Sequence, residues 1–372
     1  MNSHTSRPPR FRGASAVEWG DWHWQQQNRL RRIDDFDGVL ELTREERQAF
    51  ADAAARFRVA VTPHYAALMD PTDPACPLRL QALPHPGELE PQPFEMNDPL
   101  AEDAHTPVPG LTHRYPDRAL LYVTHNCPVY CRHCTRKRKV SDPQSASTIG
   151  VLDAAIDYIR GTEAVRDVIV SGGDPLSLSD ERLDRILGAL RAIDHVEIIR
   201  VGTRNPVTLP QRVTPALAEV LRRHRPIYLH THFNHPRELQ ADATRALSRL
   251  LDAGCVLGNQ MVLLRGINDD ASVVLALNRK LLAVGCRPYY MLQCDMAEGI
   301  SHFRTPLESG LRILEELRGR IGGMGIPDFV VDLPGGGGKV ELTPDPRVRR
   351  DGSIVRFRNW RGDEFGFTDV ET

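Results

Sequence analysis

From about residue 118 onward, short apolar runs alternate with longer stretches whose apolar residues recur at helical spacing. The runs are ALLYVTH, VRDVIVSGG, VEIIRVGT, PIYLHTHF, VLGNQMVLL and RPYYMLQCD, near-continuous and apolar as buried parallel strands require. Between them lie TIGVLDAAIDYIRG, DERLDRILGALRAI, ALAEVLRRH, TRALSRLLDAG and VVLALNRKLLAVG, each with its apolar residues on one helix face. Six such βα units predict an α/β fold, either a full or partial (β/α) barrel or a doubly wound open sheet. A further strand, PDFVVDLPGG, follows the last helix. The placement of special residues favours the barrel. Cys127 follows the first run, Gly172 and Gly173 the second and Arg204 the third, while His232, Gln260, Asp295 and Asp332 sit in or just after later ones. Barrel enzymes gather their chemistry at the C-terminal strand ends. A polar cap explains one such residue, not the whole set.

Upstream the periodicity fades. Thr43 and Glu46 form a capping box ahead of a predicted helix, LTREERQAFADAAARF. Trp19, Trp22 and Trp24 add aromatic bulk to a polar stretch, which predicts an arm docked on the main body or on a partner subunit. Proline and acidic residues dominate from Pro63 to Pro109 and predict a connection wrapped over the surface. The expected division is an N-terminal helical arm and wrapping segment (1–110), a barrel (111–340) and a short C-terminal extension (341–372).

Composition narrows the class. A chain of 372 residues, 41% hydrophobic and with a net charge of −2, can bury a sizeable core and gives no electrostatic argument for nucleic acid or an acidic membrane surface. No apolar run approaches a membrane span. The opening MNSHTSRPPRFRGAS is basic but lacks an apolar signal core, so a cytoplasmic protein is expected. Seven cysteines, three of them in one loop, do not read as a disulfide framework and suit a reducing compartment.

Those three, Cys127, Cys131 and Cys134 in THNCPVYCRHCTRKRKV, have C-x₃-C-x₂-C spacing. Three thiolates from one short loop can hold three irons of a 4Fe–4S cluster and leave the fourth iron open, unlike electron-transfer clusters closed by four cysteines. A zinc knuckle with His133 as fourth ligand, or three buried apolar cysteines, are the alternatives. Zinc sites usually add a second, distant ligand pair, and no second cysteine cluster exists here. The run DLPGGGGK ends in Lys339. A phosphate-binding P-loop is excluded because Leu333 takes the first glycine position and Val340 replaces the Ser or Thr. Four glycines let the backbone pass close to a ligand. A lysine there, facing a barrel mouth, is a candidate Schiff-base lysine for pyridoxal phosphate; an ordinary exposed lysine is the alternative.

Together the two signatures resemble the lysine 2,3-aminomutase family of radical S-adenosylmethionine enzymes. The resemblance runs almost end to end, through WGDWHWQQQNRLR, PGLTHRYPDRALLYVTHNCPVYCRHCTRKR, SGGDPL, THFNHP, GNQMVLLRGIND, RPYYMLQCDMAEGISHFRTP and FVVDLPGGGGK. It implies an incomplete, TIM-type barrel of six βα units in a homo-oligomer. It also implies that Cys127, Cys131 and Cys134 hold the cluster, whose open iron chelates S-adenosylmethionine. An electron from a carrier such as flavodoxin or ferredoxin then releases a 5′-deoxyadenosyl radical. Lys339 carries pyridoxal phosphate, and the reaction moves the amino group of lysine from C2 to C3. Position by position, Arg114, Tyr115 and Arg118 resemble the group near pyridoxal phosphate, and Arg136 the arginine that meets the substrate carboxylate. Gly172, Gly173 and Asp174 fall beside the methionyl amino group, and His232 and Gln260 match positions lining the adenosylmethionine pocket. Asp295 and Asp332 resemble the carboxylates that grip the ε-ammonium.

The chain departs from better-known members in two places. They build a zinc site from a cysteine just after GIND and a cysteine cluster in the tail, whereas here Asp270 follows GIND and no cysteine follows Cys294. Leu292 replaces an expected aromatic residue before QCD. Among related activities, the (R)-β-lysine-forming enzyme for elongation factor P lacks a tryptophan-rich arm like WGDWHWQ. A glutamate-acting aminomutase would need other residues at Asp295 and Asp332, and an arginine-acting one could keep them. A non-catalytic iron–sulfur scaffold would have no need of an intact Lys339.

Overall fold

Nine strands form one mixed sheet in plain sequence order in the computed structural model, which describes residues 7–53, 56–140 and 149–370. The strands are β1 (Leu111–Tyr115), β2 (Arg118–Thr124), β3 (Asp167–Gly172), β4 (Ile198–Gly202), β5 (Ile227–Thr231), β6 (Cys255–Leu263), β7 (Arg287–Gln293), β8 (Asp328–Leu333) and β9 (Gly338–Leu342). Neighbours from β2 to β8 pair in parallel, and β1 and β9 close the two edges antiparallel. The two edge strands were not expected from sequence. Residues 1–6, 54–55, 141–148 and 371–372 lie outside the described residues, and with them two residues of the predicted arm helix and Thr148 of the first predicted crossover helix.

The first five parallel crossovers carry the expected helices, and the sixth carries a helix that the apolar pattern had not singled out. The arm helix α1 (Arg44–Ala53) is followed by the crossover helices α2 (Ile149–Arg160), α3 (Asp180–Arg191), α4 (Pro215–Arg223), α5 (Ala241–Asp252), α6 (Ala271–Ala283) and α7 (Leu307–Leu317). In α5 the buried residues are Ala243, Ala246, Leu247 and Leu250, the three-and-four spacing of one face. In β3, Val168 and Val170 are fully buried under the helices while Ile169 and Ser171 point to the other, half-buried face. Each buried leucine or valine of this layer contributes roughly 1.5–3 kcal/mol. No helix among the described residues is long and apolar enough to cross a membrane.

The sheet curls far enough that side chains bridge its two ends. The Lys339 backbone N–H on β9 donates to the Tyr115 hydroxyl on β1 at 2.8 Å, and Arg114 Nη2 meets Asp332 Oδ1 at 3.0 Å. A Cβ on Gly338 would lie 2.9 Å from the Tyr115 hydroxyl, and its φ of +84° is one a side chain rarely adopts. Strand ends β2 to β8 and the β8–β9 loop therefore face one mouth.

The N-terminal segment is more deeply packed than a surface wrap. Tyr65, Leu78, Arg79 and Gln81 are all fully buried. Proline here starts short helices rather than breaking them, at Pro63 and Pro77, where its fixed φ suits the first helical turn. The Thr43–Glu46 capping box forms in both directions, at 2.7 and 3.1 Å. Trp19, tilted, and Trp24, edge-on, meet the Phe11 ring and pack on the main core, so the arm docks on its own body. After β9, a separate antiparallel sheet of β10 (Arg347–Asp351), β11 (Ile354–Arg358) and β12 (Glu364–Thr368) completes the chain.

Candidate active site

The cysteine loop leaves β2 and is pinned by buried charge. Arg132, with 1% of its side chain exposed, donates to Glu88 from both Nε and Nη2 and to the Phe57 and Arg58 carbonyls. Lys137 completes the triad, its Nζ 2.9 Å from Glu88 Oε2 and from the Gly299 carbonyl oxygen. Breaking a buried pair of this kind typically costs about 3–5 kcal/mol. The clamp holds all three cysteines on the wall of one recess, shared with Phe57, Arg58, Val129 and Tyr130.

The donor set in that recess fits an iron–sulfur cluster. All three thiols are free. Burial pushes the Cys127 thiol well up, with Asp174 and the other two thiols adding to it, and pushes Cys134 up to about 11. Crowded thiols of this kind give up their protons to a metal rather than to water. No group of three His, Cys, Asp or Glu side chains among the described residues is set for a single ion; a cluster, with each thiolate on a different iron, needs no such convergence. His133, the fourth ligand of the zinc alternative, is turned into the core. Its Nε2 lies 3.3 Å from Asn234 Nδ2 and its ring stands edge-on to His232 and Phe303.

The glycine-rich end of β3 packs on the same loop. A Cβ on Gly172 would lie 2.3 Å from the Thr124 carbonyl oxygen, and one on Gly173 would lie 2.4 Å from that of Asn126. Glycine is required because β3 abuts the start of the cysteine loop, with the Gly173 and Asp174 N–H groups bonded to those carbonyls at 2.6 and 2.8 Å. The Asp174 carboxylate is spent locally, accepting from Thr203 Oγ1 and from the Leu176 and Arg204 backbone N–H groups. His232, at the end of β5, keeps a buried Nε2 that finds no partner among the described residues, an unmet donor or acceptor where a cofactor is expected. Burial, with Arg204 second, pushes its pKa down to about 3, so the ring is neutral. Gln260 Nε2 lies 3.0 Å from His230 Nδ1.

At the other side of the mouth, Lys339 forms an ion pair with Asp332, which Arg114 also holds. The Lys339 side chain is 36% exposed, that of Asp332 only 7%. Arg114 and Arg118 place their guanidinium carbons 5.0 and 4.5 Å from the Tyr115 ring centroid. An accessible amine flanked by two arginines and a phenol fits a phosphorylated aldehyde cofactor. Asp295 accepts from Thr135 Oγ1 at 2.7 Å, and burial pushes its carboxyl up, with Asp332 adding and Lys339 and Arg136 opposing. Asp295, Asp332, Lys339 and Arg136 thus share one electrostatic neighbourhood. Arg136 itself is paired with Glu102, at 2.9 Å through Nε and 2.8 Å through Nη2.

Sequence reasoning gave no role to Glu102, Thr135, Glu88 or Glu238. Glu102 and Glu88 lie in aperiodic stretches and act only through distant partners. Thr135 had a signal, since it directly follows Cys134.

A half-barrel with an open three-cysteine loop at its mouth defines a radical S-adenosylmethionine enzyme. The family model for the Radical SAM superfamily matches residues 121–276, and that for Lysine-2,3-aminomutase matches 314–369. The L-lysine 2,3-aminomutase of Clostridium subterminale is 48% identical over 95% of this chain and 85% of its own length. That of Fusobacterium nucleatum is 46% identical over 100% of this chain and 87% of its own. The glutamate 2,3-aminomutase of Clostridioides difficile is 41% identical over 93% and 82%. The chain belongs to the lysine 2,3-aminomutase family, and it is an aminomutase, an isomerase of the radical S-adenosylmethionine class. The cofactors of that family are a 4Fe–4S cluster, S-adenosylmethionine and pyridoxal phosphate.

Proposed function

We propose that the protein interconverts L-lysine and L-β-lysine by a radical 2,3-amino migration. The observation that carries the reading is the pairing of Asp295 with Asp332 at one mouth, two carboxylates close enough that Asp332 helps hold the Asp295 carboxyl above its ordinary range. Two such groups are costly to keep ionised away from water unless a cation joins them. Lys339 now shares Asp332 with Arg114. Once its amine is committed to a cofactor, the lysine ε-ammonium is the group that restores the balance. Arg136 takes the α-carboxylate at the other end, with Glu102 fixing its guanidinium plane. Thr135 orients the Asp295 carboxylate from the cysteine loop itself.

When bound on Cys127, Cys131 and Cys134 and on Lys339, the cofactors supply hydrogen abstraction at C3 and delocalisation of the unpaired electron. His232 and Gln260, with Gly172, Gly173 and Asp174, would line the S-adenosylmethionine side of the mouth. The chain's own work is to hold C2 and C3 between the two cofactors. Reduction falls to a one-electron carrier such as flavodoxin or ferredoxin, and the working form is a cytoplasmic homo-oligomer.

Glutamate would bring a third carboxylate to the Asp295–Asp332 end. A buried uncompensated charge costs about 3–5 kcal/mol, or two to four powers of ten. Side-by-side kcat/KM values for lysine, arginine and glutamate test the assignment. Lysine is expected to lead glutamate by at least a hundredfold. A clear preference for arginine or glutamate would overturn it.

A further inference from the structure

Behind Cys131 lies a buried polar network that the reading above does not use. Arg204, from the turn after β4, points Nη1 at the Cys131 sulfur at 2.6 Å. Its Nε and Nη2 donors are engaged elsewhere. Nε donates to the His232 carbonyl at 3.1 Å, and Nη2 donates to Gln81 Oε1 at 2.6 Å and Glu238 Oε1 at 2.8 Å. Its backbone N–H is held by Asp174 at 2.7 Å. The Arg204 side chain is 8% exposed and that of Glu238 is 0%.

Glu238 is itself over-determined. Its Oε1 also accepts from the Tyr65 hydroxyl and from Gln81 Nε2, both at 3.1 Å. Its Oε2 accepts from the Asn234 and His235 N–H groups, at 2.6 and 3.1 Å. Glu238 therefore offsets the arginine's charge, and what remains at Cys131 is a rigid, directed N–H donor. Such an arrangement exceeds what packing requires, since a buried arginine of this kind is expensive to install.

We infer that Arg204 is a positioning residue for the cluster: it holds the Cys131 thiolate by a charge-assisted N–H···S bond and raises the cluster's reduction potential. The inference rests on the proposed cluster at Cys127, Cys131 and Cys134. The reduced cluster carries one more negative charge than the oxidised one, part of it on the ligand sulfurs. A donor fixed on a sulfur stabilises the reduced form, and hydrogen bonds to sulfur are among the levers that set these potentials. A higher potential brings the cluster within reach of a physiological one-electron donor. Arg204 touches neither substrate nor reacting carbon; it acts through Cys131.

The test is a redox titration of the anaerobically reconstituted full chain, read by the electron paramagnetic resonance signal of the reduced cluster and by iron content. Arg204→Met is expected to keep its iron and to show a roughly tenfold lower reduced-to-oxidised ratio at a fixed poise, a midpoint about 59 mV lower for one electron. An unchanged midpoint with full iron content overturns the inference. Should Arg204→Met bind no cluster, Glu238→Gln decides. It leaves the donor in place and removes the counter-charge, so the midpoint is expected to rise, and a midpoint that stays or falls overturns the inference. A parent protein that binds no iron at all would instead overturn the proposed function, and this inference with it.

Discussion

Replacing Glu102 by glutamine removes a charge without changing shape, and its effect can be worked from the structure. The carboxylate is 7% exposed and paired to Arg136, with Lys139 Nζ 3.6 Å from its other oxygen. Burial by itself would push its pKa up. Arg136 foremost, then Tyr122 and Lys139, pull it from an ordinary 4.5 down to about 2. That gap, at 1.36 kcal/mol per pH unit, corresponds to roughly 3 kcal/mol of stability, in line with the roughly 3–5 kcal/mol typical of breaking a buried pair. Because the folded pKa lies below the unfolded one, the contribution is complete above about pH 4.5 and is lost as pH falls towards about 2. Urea denaturation of the cofactor-free chain, parent against Glu102→Gln, is the assay. At pH 7 the variant is expected to unfold at lower urea with an unchanged slope, a deficit of about 3 kcal/mol. The deficit should narrow as the pH is lowered below 4.5. Equal stability at pH 7, or a deficit that persists undiminished at low pH, would refute the reasoning. The same variant should raise the KM for lysine, since Arg136 loses the carboxylate that fixes its plane.

Changing Cys127, Cys131 or Cys134 to Ala should leave too few thiolates for the cluster, and reconstituted variants should not cleave S-adenosylmethionine; full cleavage by any one would sink the cluster assignment. Lys339→Ala should keep its iron but lose the borohydride-reducible attachment of pyridoxal phosphate, which peptide mapping of the parent should place on Lys339 and nowhere else. Thr135→Val removes the hydroxyl donor from Asp295 and is expected to raise the KM for lysine severalfold with iron content unchanged; an unaltered KM would mean that Asp295 needs no orientation. Metal analysis of active enzyme should give iron without stoichiometric zinc, because Asp270 stands in place of the soft cysteine ligand expected after GIND.

What could be read from the sequence was local. The parallel strands were legible because each is a short apolar run, and the crossover helices because apolar residues repeat along one face. Cys127, Cys131 and Cys134 share one loop, and Lys339 ends an unmistakable glycine run. What could not be read depends on distant partners. β1 and β9 are edge strands of mostly polar sequence, LTHRY and GKVEL, and the contacts between the two edges join Arg114 to Asp332 on β8 and Tyr115 to Lys339 on β9. The segment from Pro63 to Pro109 looked like surface wrap because proline and acid dominate it. Yet Glu88 and Glu102 are its buried countercharges to Arg132, Lys137 and Arg136. The β10–β11 hairpin did carry a signal, since Asp351 pairs with Ile354 across a Gly352–Ser353 turn with Gly352 at φ +61°. Its strands are rich in exposed arginine and went unread.

The central claim is that this mouth holds lysine with C3 against the radical source. Incubating the reconstituted, reduced enzyme with lysine deuterated at C3 tests it most directly. The account predicts β-lysine as product, with deuterium found in 5′-deoxyadenosine and carried on into product. Lysine left unconverted while another amino acid exchanges its label, or β-lysine formed with no deuterium in 5′-deoxyadenosine, would contradict it.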